Sequence, residues 1–139
     1  MNLPRGDNQR KYARFDTNIP VHFNLNPEYH FVPQIRRLGV GGTVRNISLE
    51  GLMLDSRLDL LDVCQIFSEA MEDDSPFELE VVADFRRRRL IIRGSVRWYQ
   101  VSEPQGDIRH FQAGLHLKEY ESRTVAGNIV EFITGIAMD

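Results

Sequence analysis

The stretch that decides the fold spans residues 77–99 and reads FELEVVADFRRRRLIIRGSVRWY. Apolar residues take every second position before and after a run of four arginines, 86–89. Strict alternation is typical of a half-buried β-strand, because successive side chains point to opposite faces. The stretch therefore predicts an antiparallel hairpin with a charged, exposed turn. The same alternation places Trp98 inward, in the core, and Tyr99 outward.

Other runs with this alternation indicate further strands, and their short connections favour antiparallel pairing. They lie at residues 19–25, 42–47, 52–54 and 111–117. Residues 28–42 follow no single period, and we interpret them as an irregular hairpin or an insertion. Strands therefore dominate the chain.

Two segments have the spacing of amphipathic helices. In residues 57–74 apolar side chains recur every three to four positions, and Asp59 or Asp62 can cap the first turn. Ser122 can cap a C-terminal helix. Its predicted apolar face consists of Val125, Ile129, Phe132, Ile133 and Ile136.

Length and composition limit the class of protein. The chain has 139 residues, 42% of them hydrophobic and 27% charged, which suits one domain with a sizeable core. The net charge of -3 argues against a general nucleic-acid binder. Cys64 is the only cysteine, which excludes an intramolecular disulfide and a cysteine-based zinc cluster. Without an apolar run of membrane length or a signal peptide, we expect a cytoplasmic protein and no membrane insertion.

Residues 46–51, which read NISLEG, follow a predicted strand. If the strand continues, Asn46 and Ser48 stand side by side on its outer face while Ile47 points inward. Gly51 can take φ > 0 or let a ligand approach the backbone. Asn, Ser and Gly are also common turn residues, so a plain turn is the alternative.

A second polar motif lies near the N-terminus, where residues 10–14 read RKYAR. On its own, the pair Arg10 and Arg14 is typical of a solvated basic tail. Together, the two motifs resemble the PilZ domain family, which has Arg-x-x-x-Arg near its start and Asp/Asn-x-Ser-x-x-Gly some tens of residues later. Two downstream stretches extend the resemblance over most of the chain: GSVRW at 94–98 and FQAGLHL at 111–117.

The resemblance implies a bacterial receptor for the second messenger cyclic di-GMP. It also implies a mainly β fold, a six-stranded antiparallel PilZ-type β-barrel with a C-terminal α-helix; the chain's own pattern adds an extra helix between strands. Residues 1–16 would be a flexible ligand-binding segment that closes over the nucleotide, and residues 17–139 the barrel domain. We expect this change to be relayed to an unidentified protein effector.

The family's site residues carry over motif by motif. Arg10 and Arg14 would bind phosphates or a guanine O6/N7 edge, since a guanidinium fork matches both. Asn46 would accept a hydrogen bond from guanine, Ser48 would bond beside it, and Gly51 would leave room for the turn. Two further arginines, Arg45 and Arg97, could add positive charge. Gln9, where a third arginine could stand, favours one ligand per site.

The sequence also allows comparison with three other functions: an enzyme, a protein-binding scaffold and a nucleic-acid-binding barrel. An enzyme is not expected, because the histidines have no metal-ligand spacing and there is no phosphate loop or nucleophile elbow. We therefore expect no metal and no cofactor beyond the nucleotide ligand. One alternative is a PilZ-like scaffold that binds a protein and no nucleotide. Another is a barrel that binds single-stranded nucleic acid through residues 86–89, Arg93 and Arg97.

Overall fold

The computed structural model describes residues 13–29, 39–59, 78–101 and 108–135. These residues form six strands and one helix. In chain order they are β1 (Phe15–Leu25), β2 (Val40–Ile47), β3 (Gly51–Asp59), β4 (Glu78–Phe85), β5 (Arg88–Val101), β6 (Ile108–His116) and α1 (Tyr120–Thr134). The mainly β class and the C-terminal helix are confirmed.

The six strands close into a barrel in the order β1-β2-β3-β6-β5-β4. Every neighbouring pair is antiparallel, including the long β3–β6 pair, which runs in register from Gly51 opposite His116 to Asp59 opposite Ile108. Closure leaves no unpaired edge strand among the described residues. The predicted six-stranded antiparallel barrel is therefore confirmed.

Alternation fills the barrel as the sequence predicts. Inward positions of β4 and the first half of β5 such as Leu79, Val81 and Ile92 are almost completely buried, while Phe85 and Leu90 near the turn are partly buried. Across the barrel, Phe23 of β1 stacks on Phe111 of β6 with ring centroids 5.9 Å apart. These side chains belong to one continuous apolar core that the α1 residues Ala126, Ile129 and Val130 join.

The second half of β5 departs from the predicted alternation. Val96 pairs with Leu115 and Trp98 with the next residue of β6, Gly114, so Arg97 is an extra residue in a β-bulge. A bulge reverses which face the following side chains occupy. Trp98 is 42% exposed, and Tyr99 turns toward Phe111 with ring centroids 6.4 Å apart. The prediction of an inward Trp98 is wrong for this reason, whereas Tyr99 is 41% exposed, as predicted, although its ring also contacts Phe111.

The β4–β5 turn contains two residues, fewer than the run of four arginines suggests. Only Arg86 and Arg87 lie in the turn, while Arg88 and Arg89 begin β5. Both turn residues have positive φ, 54° and 65°, as in a type I′ hairpin turn. Residues with a Cβ pay about 1–2 kcal/mol each for this conformation, so the turn is strained.

Helix α1 starts two residues before the predicted cap. Its N-cap is Glu119, which makes no side-chain capping bond, and Ser122 lies inside the first turn. Ser122 is buried, and its hydroxyl accepts a hydrogen bond from the backbone N–H of Arg93 at 2.9 Å. The prediction of Ser122 as the cap is wrong, because its hydroxyl attaches the helix to β5 instead. On the predicted apolar face Ile129 is buried, and Phe132 is 51% exposed.

The prediction of a helix at residues 57–74 is wrong for its first residues. Its first three residues belong to β3, which pairs with β6 through Asp59. The rest of that prediction, from residue 60, lies outside the described residues, as does most of the irregular segment 28–42. No helix in the described ranges has the length and apolar character that a membrane span requires.

Candidate functional site

The two polar motifs meet at one edge of the barrel. Phe15, near the start of β1, pairs with Ile47 at the end of β2. Arg14 directly precedes β1, so its side chain lies beside the last residues of β2, including Asn46. The barrel thus brings together one residue from each motif, 32 positions apart in the chain. Arg10 lies outside the described residues.

The Arg14 guanidinium bonds one residue of the second motif, Asn46, and lies near another, Gly51. Its Nη1 donates to Asn46 Oδ1 at 3.4 Å, a long and therefore weak hydrogen bond that a ligand oxygen can replace at little cost. A Cβ at Gly51 would lie 3.4 Å from Arg14 Nη2 and only 2.7 Å from the carbonyl oxygen of Leu115. Any other residue at Gly51 would push β3 away from β6, so glycine is needed here for close packing.

Asn46 presents its amide between Arg14 and Met53. Its carbonyl accepts from Arg14, and its Nδ2 lies 3.5 Å from Met53 Sδ. An amide offers two donors and two acceptor lone pairs, and these two contacts use only part of that capacity. Asn46 is half-buried at the barrel surface, so it can still bond the edge of a planar ligand.

Ser48 occupies a different position from the predicted one. Strand β2 ends at Ile47, and Ser48 is 1% exposed within the turn to β3. Its Oγ accepts the backbone N–H groups of Glu50 at 3.2 Å and Gly51 at 3.1 Å. The prediction that Ser48 stands outward beside Asn46 is wrong, because the strand does not continue through the motif. The inward position of Ile47, which is 0% exposed, is confirmed.

We expect Ser48→Ala to lower stability by about 1–3 kcal/mol, because two N–H groups lose their acceptor in a buried turn. Urea-induced unfolding of the purified protein measures this change. Asn46→Ala is the matched control, since it leaves the turn's bonds to Oγ in place. Equal stability of the Ser48 variant and the wild type would contradict a structural role for this hydroxyl.

Arg45 is directed into a network on the outer face of the barrel. Its Nε contacts Asp55 Oδ2 at 3.0 Å and its Nη1 donates to Asn18 Oδ1 at 2.6 Å. Asp55 also contacts His110 on β6. Much of the positive charge of Arg45 is therefore balanced by Asp55. Arg97, the second additional arginine, is exposed at the β5 bulge.

Trp98, which the alternation pattern placed in the core, lies on the same outer face of the barrel as Asn46. The bulge turns Trp98 outward, where it pairs with Gly114 of β6. Gly114 also pairs with Met53 of β3, and Met53 pairs with Asn46 of β2. These four residues form a row across β2, β3, β6 and β5. Neighbouring strands are about 4.8 Å apart, so the row runs from an amide to an indole across about 14 Å.

Gly114 makes the position of the indole possible. A Cβ at Gly114 would lie 2.7 Å from Cε2 of Trp98, so the ring lies flat against the strand where a side chain would otherwise stand. A glycine in the middle of a strand often marks a bulge or a close approach. This glycine was the signal in the sequence that could have placed Trp98 on the surface.

His116 lies next to this row, opposite Gly51 in the β3–β6 pair. Burial lowers the pKa of His116, and the positive charge of Arg97 lowers it further. The imidazole is therefore neutral at pH 7, and it offers a hydrogen-bonding group but no positive charge. Among the described residues, Arg14 is the cation that bonds Asn46, and its guanidinium lies near Gly51.

The arginines of the nucleic-acid alternative are spread along β5. Arg88 and Arg97 are nine residues apart on this strand, which corresponds to about 30 Å. Between them, Arg93 contacts Glu80 at 3.0 Å, and this hydrogen bond raises the pKa of Arg93. The arginines of this strand therefore do not form one continuous basic groove.

A family model for the PilZ domain matches residues 8–135 of the chain. Among solved structures, the inhibitor of motility MotI/DgrA of Bacillus subtilis aligns with a TM-score of 0.50 and 15% identity over 91% of this chain. The aligned part is 52% of that protein, so this chain spans about half its length. The PilZ domain of CeSA from a cellulose-synthesizing bacterium aligns with a TM-score of 0.44 and 10% identity, covering 89% of this chain and 97% of that one. A comparison with curated protein sequences finds no match. At these identities the structural likeness concerns the fold alone.

Proposed function

Because the chain belongs to the PilZ family, we propose that it is a bacterial, cytoplasmic receptor for cyclic di-GMP. It acts as an adaptor without enzymatic activity, and it relays nucleotide binding to a protein partner. The observation that supports this function is the contact of Arg14 with Asn46 and the close approach of its guanidinium to Gly51. Two motifs that are far apart in the sequence thereby form one polar surface.

The chemistry of this surface matches the ligand. Cyclic di-GMP carries two phosphate charges and two guanine bases. Arg14, joined by Arg10 from the N-terminal segment, binds a phosphate or a guanine O6/N7 edge through its planar fork. Asn46 bonds a guanine edge, and Trp98 offers an exposed ring on which a base stacks. Ser48 and Gly51 act indirectly, by shaping the turn that holds Asn46 beside Arg14.

The relay starts from the N-terminal segment and the turn. The part of the N-terminal segment that precedes β1 closes over the bound nucleotide and, with it, forms a surface that a partner recognises. The turn has a second connection, since a Cβ at Gly127 of α1 would lie 3.3 Å from Leu49 Cδ2. Leu49 is the apolar residue of the turn between Ser48 and Gly51. A shift of this turn on ligand binding therefore acts directly on the middle of α1.

We expect cyclic di-GMP to change the fluorescence of the wild-type protein, because Trp98 is the only tryptophan and lies on the proposed surface. Trp98→Ala removes a stacking interaction of about 1–3 kcal/mol, so affinity measured by calorimetry falls roughly ten-fold while the fold persists. Trp98→Phe, which keeps a ring, is the matched control and retains most of the affinity. A Trp98→Ala variant with wild-type affinity would exclude stacking on this residue.

A further inference from the structure

A second surface of the molecule lies at the β4–β5 turn. Four consecutive residues, Arg86 to Arg89, are all exposed there. We call them the basic tip. Arg89 and Asp84 are 3.9 Å apart, and both side chains are about three-quarters exposed, 75% and 74%. An ion pair this exposed is weak, so Arg89 can exchange Asp84 for another carboxylate.

The backbone of the basic tip is unfavourable for arginine. Both Arg86 and Arg87 have positive φ, where Asn and Gly are the preferred residues of a two-residue hairpin turn. The chain therefore carries two large cationic side chains at positions where small ones would fold more stably. Strain of this kind is often retained at sites that bind something.

One arginine of the tip is held in place by an aromatic ring. The guanidinium carbon of Arg86 lies 4.2 Å from the centroid of the Phe132 ring on α1. Phe132 in turn packs edge-on against Phe85, with centroids 5.2 Å apart and ring planes at 80°. Phe132 nevertheless remains 51% exposed. The tip thus combines a positioned guanidinium with an exposed apolar ring.

A shallow hollow of about 460 Å³ adjoins this ring. It is lined by Arg86, Asn128, Glu131, Phe132 and Gly135. It is large enough to accept an apolar side chain of a partner, which would cover the exposed part of the Phe132 ring. Arg86 in its lining suits a carboxylate next to that side chain, whereas Glu131 in the same lining repels one, and the other arginines of the basic tip lie beyond the lining.

We infer that the basic tip binds an acidic segment of a partner protein, in which carboxylates flank an apolar side chain. Guanidinium forks bind carboxylates through two parallel hydrogen bonds, and the apolar side chain enters the hollow and packs against Phe132. The net charge of -3 means that the rest of the chain is acidic, which disfavours long polyanions such as nucleic acids and anionic membranes. The inference names the partner side of the proposed function, but it does not depend on nucleotide binding.

The probe is a fluorescent peptide with two glutamates on each side of a central leucine, titrated with the full chain. Wild-type protein is expected to bind it, and a peptide with glutamines in place of the glutamates is expected not to bind. The test variant is Arg86→Asn/Arg87→Gly, which removes two charges and relieves the strained turn. We expect it to bind the peptide about ten-fold or more weakly, while its Tm stays level or rises.

The matched control, Arg57→Gln/Lys118→Gln, removes two exposed charges elsewhere and is expected to keep the affinity of the wild type. Failure of the wild type to bind the acidic peptide, or equal affinity of the tip variant, would overturn the inference. So would tip-dependent binding to vesicles with anionic lipid or to oligothymidine in place of the peptide. The peptide titration is run with and without cyclic di-GMP, so a protein that does not bind nucleotide can still bind the peptide, and each result stands alone.

Discussion

Replacing both Arg10 and Arg14 with alanine is expected to weaken cyclic di-GMP binding by about a hundred-fold or more. Hydrogen bonds to charged groups contribute about 1.5–3 kcal/mol each, and we propose that each arginine makes such bonds to the dianionic ligand. The fold is expected to persist, because Arg14 precedes β1 and its bond to Asn46 is long, 3.4 Å. Isothermal titration calorimetry measures the affinity, and thermal unfolding checks the fold.

Two control variants separate the fork geometry from the charge. Lys11→Ala removes a positive charge from the same segment and is expected to change affinity little. Arg14→Lys keeps the charge but loses the planar fork, so its affinity is expected to lie between those of the wild type and Arg14→Ala. A double arginine variant that binds as well as the wild type would show that the nucleotide binds elsewhere.

Adjacent residues of β2 are expected to give opposite results on substitution. Ile47 is completely buried, and Ile47→Ala removes core volume at a cost of about 2–5 kcal/mol. For a chain of this length that corresponds to a fall in Tm of roughly 10 °C. Asn46→Ala changes only a half-buried amide, so its Tm stays close to the wild-type value while cyclic di-GMP binding falls. Thermal unfolding and calorimetry on the same two preparations test both statements.

This pair of variants tests which face of β2 carries the site. If Asn46→Ala unfolded the protein and Ile47→Ala left it stable, the assignment of the two faces would be inverted. Asn46 would then not face outward toward Arg14, and the proposed binding site would be wrong. Val44→Ala, which also removes a buried side chain of β2, is expected to behave like Ile47→Ala.

The sequence predicts the barrel well because closed sheets repeat a simple physical pattern. In β1 and β4 every second side chain is buried, as the alternation of apolar residues indicates. Even so, β1 begins at Phe15, four residues before the alternation becomes clear at Ile19. Backbone pairing with β2 extends β1 toward the N-terminus, beyond the residues whose apolar and polar side chains alternate. The composition of the chain does not show this extension.

The two errors in the site have related causes. A bulge at Arg97 reversed the face of Trp98, and the end of β2 at Ile47 put Ser48 into a turn. In the first case one extra residue breaks the two-residue period and inverts the later assignments by alternation, and in the second the strand ends, so alternation no longer applies. Backbone irregularities of this kind are set by pairing across strands, so a single strand's sequence does not reveal them. They are concentrated at this edge of the barrel, where the polar side chains must be directed outward.

The contact between the two motifs was predictable only through the family resemblance. Nothing in the spacing of Arg14 and Asn46 requires them to meet. They meet because β1 and β2 pair with Phe15 opposite Ile47. The family resemblance predicted the barrel, and the β1–β2 register of the barrel places Arg14 beside Asn46.

The most direct test of the central claim is a calorimetric titration of the purified wild-type chain with cyclic di-GMP, with GMP and single-stranded RNA as competing candidates. We predict saturable binding of one cyclic di-GMP per chain that weakens as salt is raised, and no comparable binding of GMP or RNA. Absence of cyclic di-GMP binding would contradict the receptor function and favour a scaffold that binds protein alone. Stronger binding of RNA than of cyclic di-GMP would contradict it in favour of a nucleic-acid-binding barrel.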